Sequence, residues 1–534
     1  MMKLPIDRRH KIGKIVFTDS CPEPVSTDTV SLPYGDAVAY IGDPERKPFA
    51  CELVGPAAAL TRCFSPCTHN ALAALRARHL APRKDPVFRR LNTGGAWDSF
   101  FRKIKRVARP DLPEQWILRF PARRRAQILK SFWDGGVDPS RISSMIKREV
   151  AVFHRNLSFT KPRLIHMPSH YGVQRILGPL IQALSKSIKT LQDSGAGFVY
   201  DDGCVRVRVV FACGYNPSAL AALVQAAIDE HSVNAPALFY ERDGKAWDAT
   251  MGKRHAVWRQ KLYKCKTFDM GGLYAHLQRA FKAKAVFRTK NSLIKYIIDY
   301  TTKSGFSDTT LSNSVTNAQI AVEAMVRASV SGTVFVMGDD NLSVLRGTTP
   351  LSNVKRLPKI EAKLGIKPEF GIFRSVFDVS FISMYFWDCD GTLVMSPKLG
   401  KQFCKLFWTH HRLGAGHQAE HLAGVTTCMQ QLLGGHELFA AFIKNMPRTS
   451  NPLPSTIPYA ISSSPGYVMP NIPDARGQTC RRYGITFAEY DRLIETFASL
   501  PPEPCLIGGL AGDIIQRLYE HDTADPADRK RSFG

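Results

Sequence analysis

The chain has 534 residues, 44% of them hydrophobic, which is enough for a large core with more than one subdomain and excludes a disordered chain. Lys and Arg number 72 against 46 Asp and Glu, a formal charge of +26, and such an excess favours a polyanionic partner: nucleic acid or an acidic membrane surface. Between Arg76 and Lys189 there are 25 Lys/Arg and 7 Asp/Glu, so most of the excess lies in one region, a concentration that solubility alone does not require.

Residues 1–75 mix Pro, Gly and short apolar runs, and no element type stands out. Residues 76–190 are helical in pattern, with Arg123-Arg124-Arg125 ahead of Ile128-Leu129. Val205-Arg206-Val207-Arg208-Val209 alternates apolar and charged residues, which predicts a half-buried strand. Asn216-Pro217 before the apolar run Ala219–Ile228, with Asp229-Glu230 after it, marks a buried helix. A strand over 237–243 follows, then a long helix from Thr309 to about Ser329. Next come a β-hairpin, a helix near 354–364, and strands around 379–386. Residues 398–444 are helical in pattern, 451–473 read as a Pro/Ser-rich linker or surface strap, and 522–534 as a mobile tail. Twelve scattered cysteines without a leader segment fit a reducing compartment, and no apolar window reaches the roughly 18 residues a membrane-spanning helix needs.

The chemistry concentrates at the hairpin, Val334-Phe335-Val336-Met337-Gly338-Asp339-Asp340-Asn341-Leu342-Ser343-Val344. Apolar arms favour β-structure and Gly338 favours a tight turn, so the tip presents two adjacent carboxylates. Such a pair suits Mg2+, which takes one or two carboxylates together with substrate phosphates. Upstream, Asp243 ends an apolar strand and Asp248 begins the helix after it. If the two strands are neighbours, Asp243 and Asp339 can share a pair of metal ions spaced for phosphoryl transfer. Between them, Ser304-Gly305 opens the long helix, and Thr309, Asn313 and Asn317 recur every fourth residue on one face of it.

With these residues in this order, the chain resembles the RNA-dependent RNA polymerases of positive-strand RNA viruses. Motif A matches as Asp243-x4-Asp248, motif B as Ser304-Gly305-x3-Thr309-x3-Asn313, and motif C as Gly338-Asp339-Asp340. Lys147-Arg148-Glu149 and Lys161-Pro162-Arg163-Leu164-Ile165 resemble motif F, with a wording through Arg175 and Gly178-Pro179-Leu180 similar to tombus-like and noda-like enzymes. Lys363-Leu364-Gly365-Ile366-Lys367-Pro368 resembles motif D and Val379-Ser380-Phe381-Ile382-Ser383 motif E. Asp308 departs from the Asn that many tombus-like polymerases carry in motif B.

The resemblance implies an α+β right-hand fold: fingers, a palm with an antiparallel sheet, and a mainly helical thumb. It places an N-terminal extension at 1–75, fingers at 76–235, the palm at 236–390 with 265–300 returning to the fingers, and thumb and tail at 391–534. It implies that Asp243, Asp339 and Asp340 hold Mg2+, or Mn2+, and that Lys147 and Arg163 neutralise the NTP triphosphate. Asp248 and Asn313 would contact the ribose 2′-hydroxyl, supported by Ser304, Gly305 and Thr309. Lys367 and Lys363 compete as general acid for pyrophosphate, with Lys367 favoured. Single-stranded RNA template and RNA product are the implied partners, alongside replication-complex proteins. The implied place is the host cytoplasm, at membranes reached through partners.

Two rival readings stay open. A reverse transcriptase also uses a three-Asp palm, although the Asp248 and Asn313 pair suits ribonucleotides; a non-catalytic basic RNA-binding protein would explain the charge alone. His417-x2-Glu420-His421 matches a zinc-peptidase pattern, for which a polar helix face is the better account. Cys63-x3-Cys67-x-His69 with Cys51 nearby is too irregular for a closed zinc site and reads better as unpaired cysteines.

Overall fold

In a computed structural model of the chain, the described residues are 15–16, 51–56, 60–63, 66–75, 85–131, 137–147, 150–153, 162–264, 273–288, 293–409, 413–448 and 467–529. The architecture is mixed α and β with several sheets.

Six strands form the central sheet: β1 (Val199–Asp201), β2 (Arg206–Phe211), β3 (Leu238–Gly244), β4 (Gly332–Met337), β5 (Asp340–Leu345) and β6 (Pro368–Phe373). Their order is β6-β3-β5-β4-β2-β1. The sheet is antiparallel except where β2 runs parallel to β4, with Val207 beside Gly332. Both of those strands are buried over most of their length, as parallel strands require. The sheet therefore begins upstream of the expected palm boundary at residue 236.

Side chains alternate between its two faces. Val207, Val209, Tyr240, Val334 and Val336 pack on the side of α2 (Thr309–Ala328), while Val210, Phe239, Phe335, Leu342 and Val344 pack with α1 (Pro217–His231). The Asn216 side chain caps α1 by accepting from the Ala219 amide at 2.8 Å, with Pro217 in the first turn. The α2 helix ends where Ser329 takes a left-handed φ of 56°.

A second sheet joins Arg141–Ile146, Leu164–Pro168, Lys282–Arg288 and Leu293–Asp299, with Ile15–Val16 on its edge. The 282–299 hairpin thus leaves the central sheet and pairs in parallel with Arg141–Ile146.

The C-terminal helices, from Leu399–Lys405 to Gly509–Thr523, enclose a separate core around Phe403, Phe439, Phe442, Phe497 and Ile514. Residues assigned to an N-terminal extension belong to it structurally: Val54–Pro56 pairs in parallel with Cys505–Ile507, and Cys51–Glu52 with Trp408–Thr409. Residues 451–466 of the expected strap lie outside the described residues, whereas Tyr467, Met469 and Ile472 are buried in this core.

The expectation of a mobile tail from 522 is corrected. Asp522 and Arg529 are both buried: Asp522 accepts from the Lys401 amide and lies near the Lys398 charge, and Arg529 pairs with Glu241; residues 530–534 lie outside the described residues. No helix among the described residues is long and apolar enough to cross a membrane.

Candidate active site

Strand β3 sets the geometry. Arg242 lies opposite Asn341 of β5, so the next step places Asp243 opposite Asp340; on its other side Asp243 lies opposite Glu369 of β6. Directly opposed residues in antiparallel pairs have Cα atoms about 4.5–5.5 Å apart. The β4–β5 hairpin closes on the Met337–Asp340 pair and leaves Gly338-Asp339 as a two-residue loop. Its first position has φ +63°, which glycine adopts without strain. Three carboxylates from two neighbouring strands therefore gather at one end of the sheet.

Their electrostatics show the crowding. Burial pushes the Asp340 carboxyl up to about 7, and the charges of Asp339, Asp243 and Glu241 add to the rise while Lys398 opposes it. Asp243 is raised as well, by desolvation and then by Asp339 and Glu369, with Arg242 opposing. Hard carboxylate oxygens that repel one another at one end of a sheet fit a divalent cation such as Mg2+. Among the described residues, no group of three or more His, Cys, Asp or Glu side chains is arranged to hold a metal ion by itself.

Helix α2 supports the turn from below. The Gly338 amide donates to Ser314 Oγ at 2.8 Å, and Asn317 Nδ2 donates to the carbonyls of Gly338 and Asp340 at 3.1 and 3.0 Å. The polar helix face expected from the Thr309, Asn313 and Asn317 spacing thus meets the turn and the loop above it.

The Ser304-Gly305 loop docks on Leu164–Pro168. The Gly305 amide donates to the His166 carbonyl at 3.1 Å, and Ser304 Oγ lies 3.5 Å from the Leu164 carbonyl. A Cβ on Gly305 would come within 2.5 Å of Met167 Cγ, which explains the glycine. The Thr309 hydroxyl reaches the Lys303 and Phe306 carbonyls at 2.6 and 2.8 Å, so it shapes this loop. Asn313 is buried, and its Oδ1 accepts from the Thr302 hydroxyl at 3.1 Å. The Thr302 amide in turn donates to the Asp248 carbonyl at 3.2 Å. Thr302 therefore links the two residues expected to read the sugar.

Asp308 is buried beside the Tyr263 hydroxyl at 3.3 Å. Burial raises its carboxyl, and the charges of Arg259 and Lys303 hold it down.

Of the expected phosphate-binding pair, the Lys147 amide donates to the Arg163 carbonyl at 2.7 Å. Arg163 precedes the Leu164 that carries the Ser304 contact. Arg148, Glu149 and Lys161 lie outside the described residues. Lys367 is exposed; its carbonyl accepts from the Lys245 amide at 2.9 Å, one residue before the Pro368–Gly244 pair beside Asp243. Lys363 is exposed at the C-terminal end of α3 (Leu357–Lys363), and its carbonyl accepts from the Val87 amide at 2.7 Å.

The zinc alternatives separate in space or chemistry. Cys51 and Cys63 lie on strands of different sheets, and the Cys67 sulfur caps a helix by accepting from the Asn70 amide. The side chains of Cys51, Cys63 and His69 lie outside the described residues. His417 is exposed and His421 buried on the helix Ala415–Leu433.

Sequence reasoning overlooked the groups that surround the carboxylates. Glu369 takes the Lys245 ammonium and faces Asp243; only the β3–β6 pairing reveals it. On the face of the sheet opposite α2, Glu241 accepts from the Ser380 amide and hydroxyl, each at 2.8 Å, and from both terminal nitrogens of Arg529 at 2.7 and 2.6 Å. Lys398 donates to the Asp522 carbonyl at 3.2 Å. Burial, followed by the charges of Arg529 and Lys401, brings its ammonium down to about 7.

No family model matches the chain, and no curated protein matches it either.

Proposed function

We propose that the chain is an RNA-directed RNA polymerase of the right-hand type, which transfers nucleoside monophosphate from NTP to an RNA 3′-hydroxyl under direction of an RNA template. The observation that carries this reading is the convergence of Asp243 with the Gly338-Asp339-Asp340 turn at one sheet end, above the helix that begins after Ser304-Gly305. In this reading Asp243, Asp339 and Asp340 would hold Mg2+ or Mn2+, which would supply charge neutralisation for the phosphates and acidify the attacking hydroxyl.

The remaining steps belong to the chain's own residues. Arg163 and Lys147 orient the triphosphate by paired donors and charge. Asp248 and Asn313 bind the ribose 2′-hydroxyl, with Thr302 holding both. Lys367 Nζ delivers a proton to the departing pyrophosphate. The basic stretch at 76–189 lines the path of single-stranded template and product, tracking phosphates with little sequence preference. Replication of a viral genome in the host cytoplasm, with replication-complex proteins that supply membrane contact, rests on the motif resemblance alone.

The test is incorporation of labelled NTPs by the purified full chain on RNA templates with and without primer. We expect Mg2+-dependent extension that Asp339→Ala reduces by at least a thousandfold. Extension undiminished in that variant would remove Asp339 from the site. RNA binding with no metal-dependent synthesis would favour the binding-protein reading, and dNTPs incorporated as well as NTPs would favour a reverse transcriptase.

A further inference from the structure

A buried chain of hydrogen bonds runs from α3 through β3 and α2 to the carboxylate turn. Glu361 of α3 is fully buried; it accepts from the Tyr240 hydroxyl at 2.7 Å and from Arg242 Nε at 3.2 Å. Arg242, whose side chain points to the face opposite that of Glu241 and Asp243, is 1% exposed and passes its second donor, at 2.6 Å, to Asn317 Oδ1. Asn317, 0% exposed, donates from Nδ2 to the Gly338 and Asp340 carbonyls.

Chemistry fixes the direction of every link. A guanidinium only donates, so the Asn317 oxygen must face it, and the amide nitrogen must then face the turn, whose carbonyls only accept. No second arrangement of the amide satisfies both ends.

We propose that Asn317, held by Arg242 and Glu361, is the positioning residue for the metal-bearing turn. The motif B helix and the α3 helix thereby set where Asp339 and Asp340 stand relative to Asp243. This rests on the polymerase reading for its kinetic consequence, but not for its effect on cation binding. A buried Arg–Glu pair is weak evidence of stability gained. Its place between the strand that bears Asp243 and the helix that supports the turn gives it a registry role. The amide bridges two carbonyls either side of Asp339, so it fixes the loop at both ends of the residue assigned to the cation.

Two substitutions separate positioning from folding. Asn317→Asp keeps the shape and strengthens the partnership with Arg242, but removes both donors to the turn. Asn317→Ala removes them without adding charge. Gln319→Ala is the control: Gln319 is buried on the same helix and donates to the Trp258 carbonyl at 3.2 Å, away from the turn.

In the full chain, Mn2+ affinity is read by electron paramagnetic resonance of the free ion, and NTP incorporation by the Mg2+ concentration at half-maximal rate. We expect both Asn317 variants to bind Mn2+ about tenfold more weakly. Their Mg2+ midpoint should rise by a similar factor and kcat should fall, while KM for NTP stays within twofold. Gln319→Ala should lower the melting temperature and leave Mn2+ affinity unchanged. Wild-type Mn2+ affinity in both Asn317 variants overturns the positioning role. Weakened Mn2+ binding in a chain that never polymerises upholds it and overturns the polymerase reading instead.

Discussion

Asn313 illustrates how much a single neighbour decides. Its oxygen is held by Thr302, whose own amide holds the Asp248 backbone. Thr302→Val keeps the shape of the side chain and deletes the donor, a loss of about 0.5–1.5 kcal/mol for a neutral hydrogen bond. In the proposed reaction this should lower discrimination between NTP and dNTP by about 2–12-fold, whereas Thr302→Ser should retain it; competition assays on one RNA template check both. Asp340 offers a test that needs no substrate. Its folded carboxyl titrates near 7, above the ordinary 3.8, so the native state binds more protons than the unfolded chain between those values. The group therefore contributes stability that is present below about pH 4 and lost as pH rises through about 7. In metal-free buffer, the stability gained by Asp340→Asn over wild type should grow from pH 4 to 7 and level off above, as urea unfolding at each pH would show. Saturating Mg2+ should diminish the difference.

At the level of elements, the β4–β5 hairpin combines two glycines with different reasons. Gly338 has open space around the position of a Cβ and a φ of +63°, so Gly338→Ala meets only backbone strain, about 1–2 kcal/mol. A Cβ on Gly332 would stand 2.4 Å from the Val344 carbonyl oxygen, so alanine there must push the two arms apart. Denaturant melts should rank Gly332→Ala as the more damaging of the two, and Gly338→Asn as milder than Gly338→Ala, since Asn tolerates left-handed backbone.

The hairpin, α1 and α2 were legible in the sequence because their signals are local: alternation, a capping Asn before Pro217, and four-residue spacing of polar side chains. The partners of the buried charges were not. Glu361 lies 119 residues from Arg242, and nothing in the spacing of either shows that α3 packs beneath β3. Strand order decides such pairs, and periodicity carries no information on strand order. The same limit hid Glu369, and it placed Val54–Pro56 in an extension when it is a strand beside Cys505–Ile507.

Taken whole, the molecule closes on itself through its last described residues. Arg529 supplies two of the four hydrogen bonds to Glu241, and both side chains are under 10% exposed. Arg529→Ala leaves a buried carboxylate unpaired and should destabilise by about 3–5 kcal/mol in equilibrium unfolding. Adding Glu241→Gln to that variant should recover part of the loss. The pair also has a consequence for biosynthesis. The two residues are 288 apart in sequence, and at about 5–20 residues per second a ribosome needs roughly 15–60 s to pass from one to the other. For that interval the nascent sheet holds an acid whose counter-charge has not been made. The strand that presents Asp243 reaches its final electrostatic state only once Arg529 has been made, and a chain stopped just short of that residue would hold Asp243, Asp339 and Asp340 beside an uncompensated Glu241.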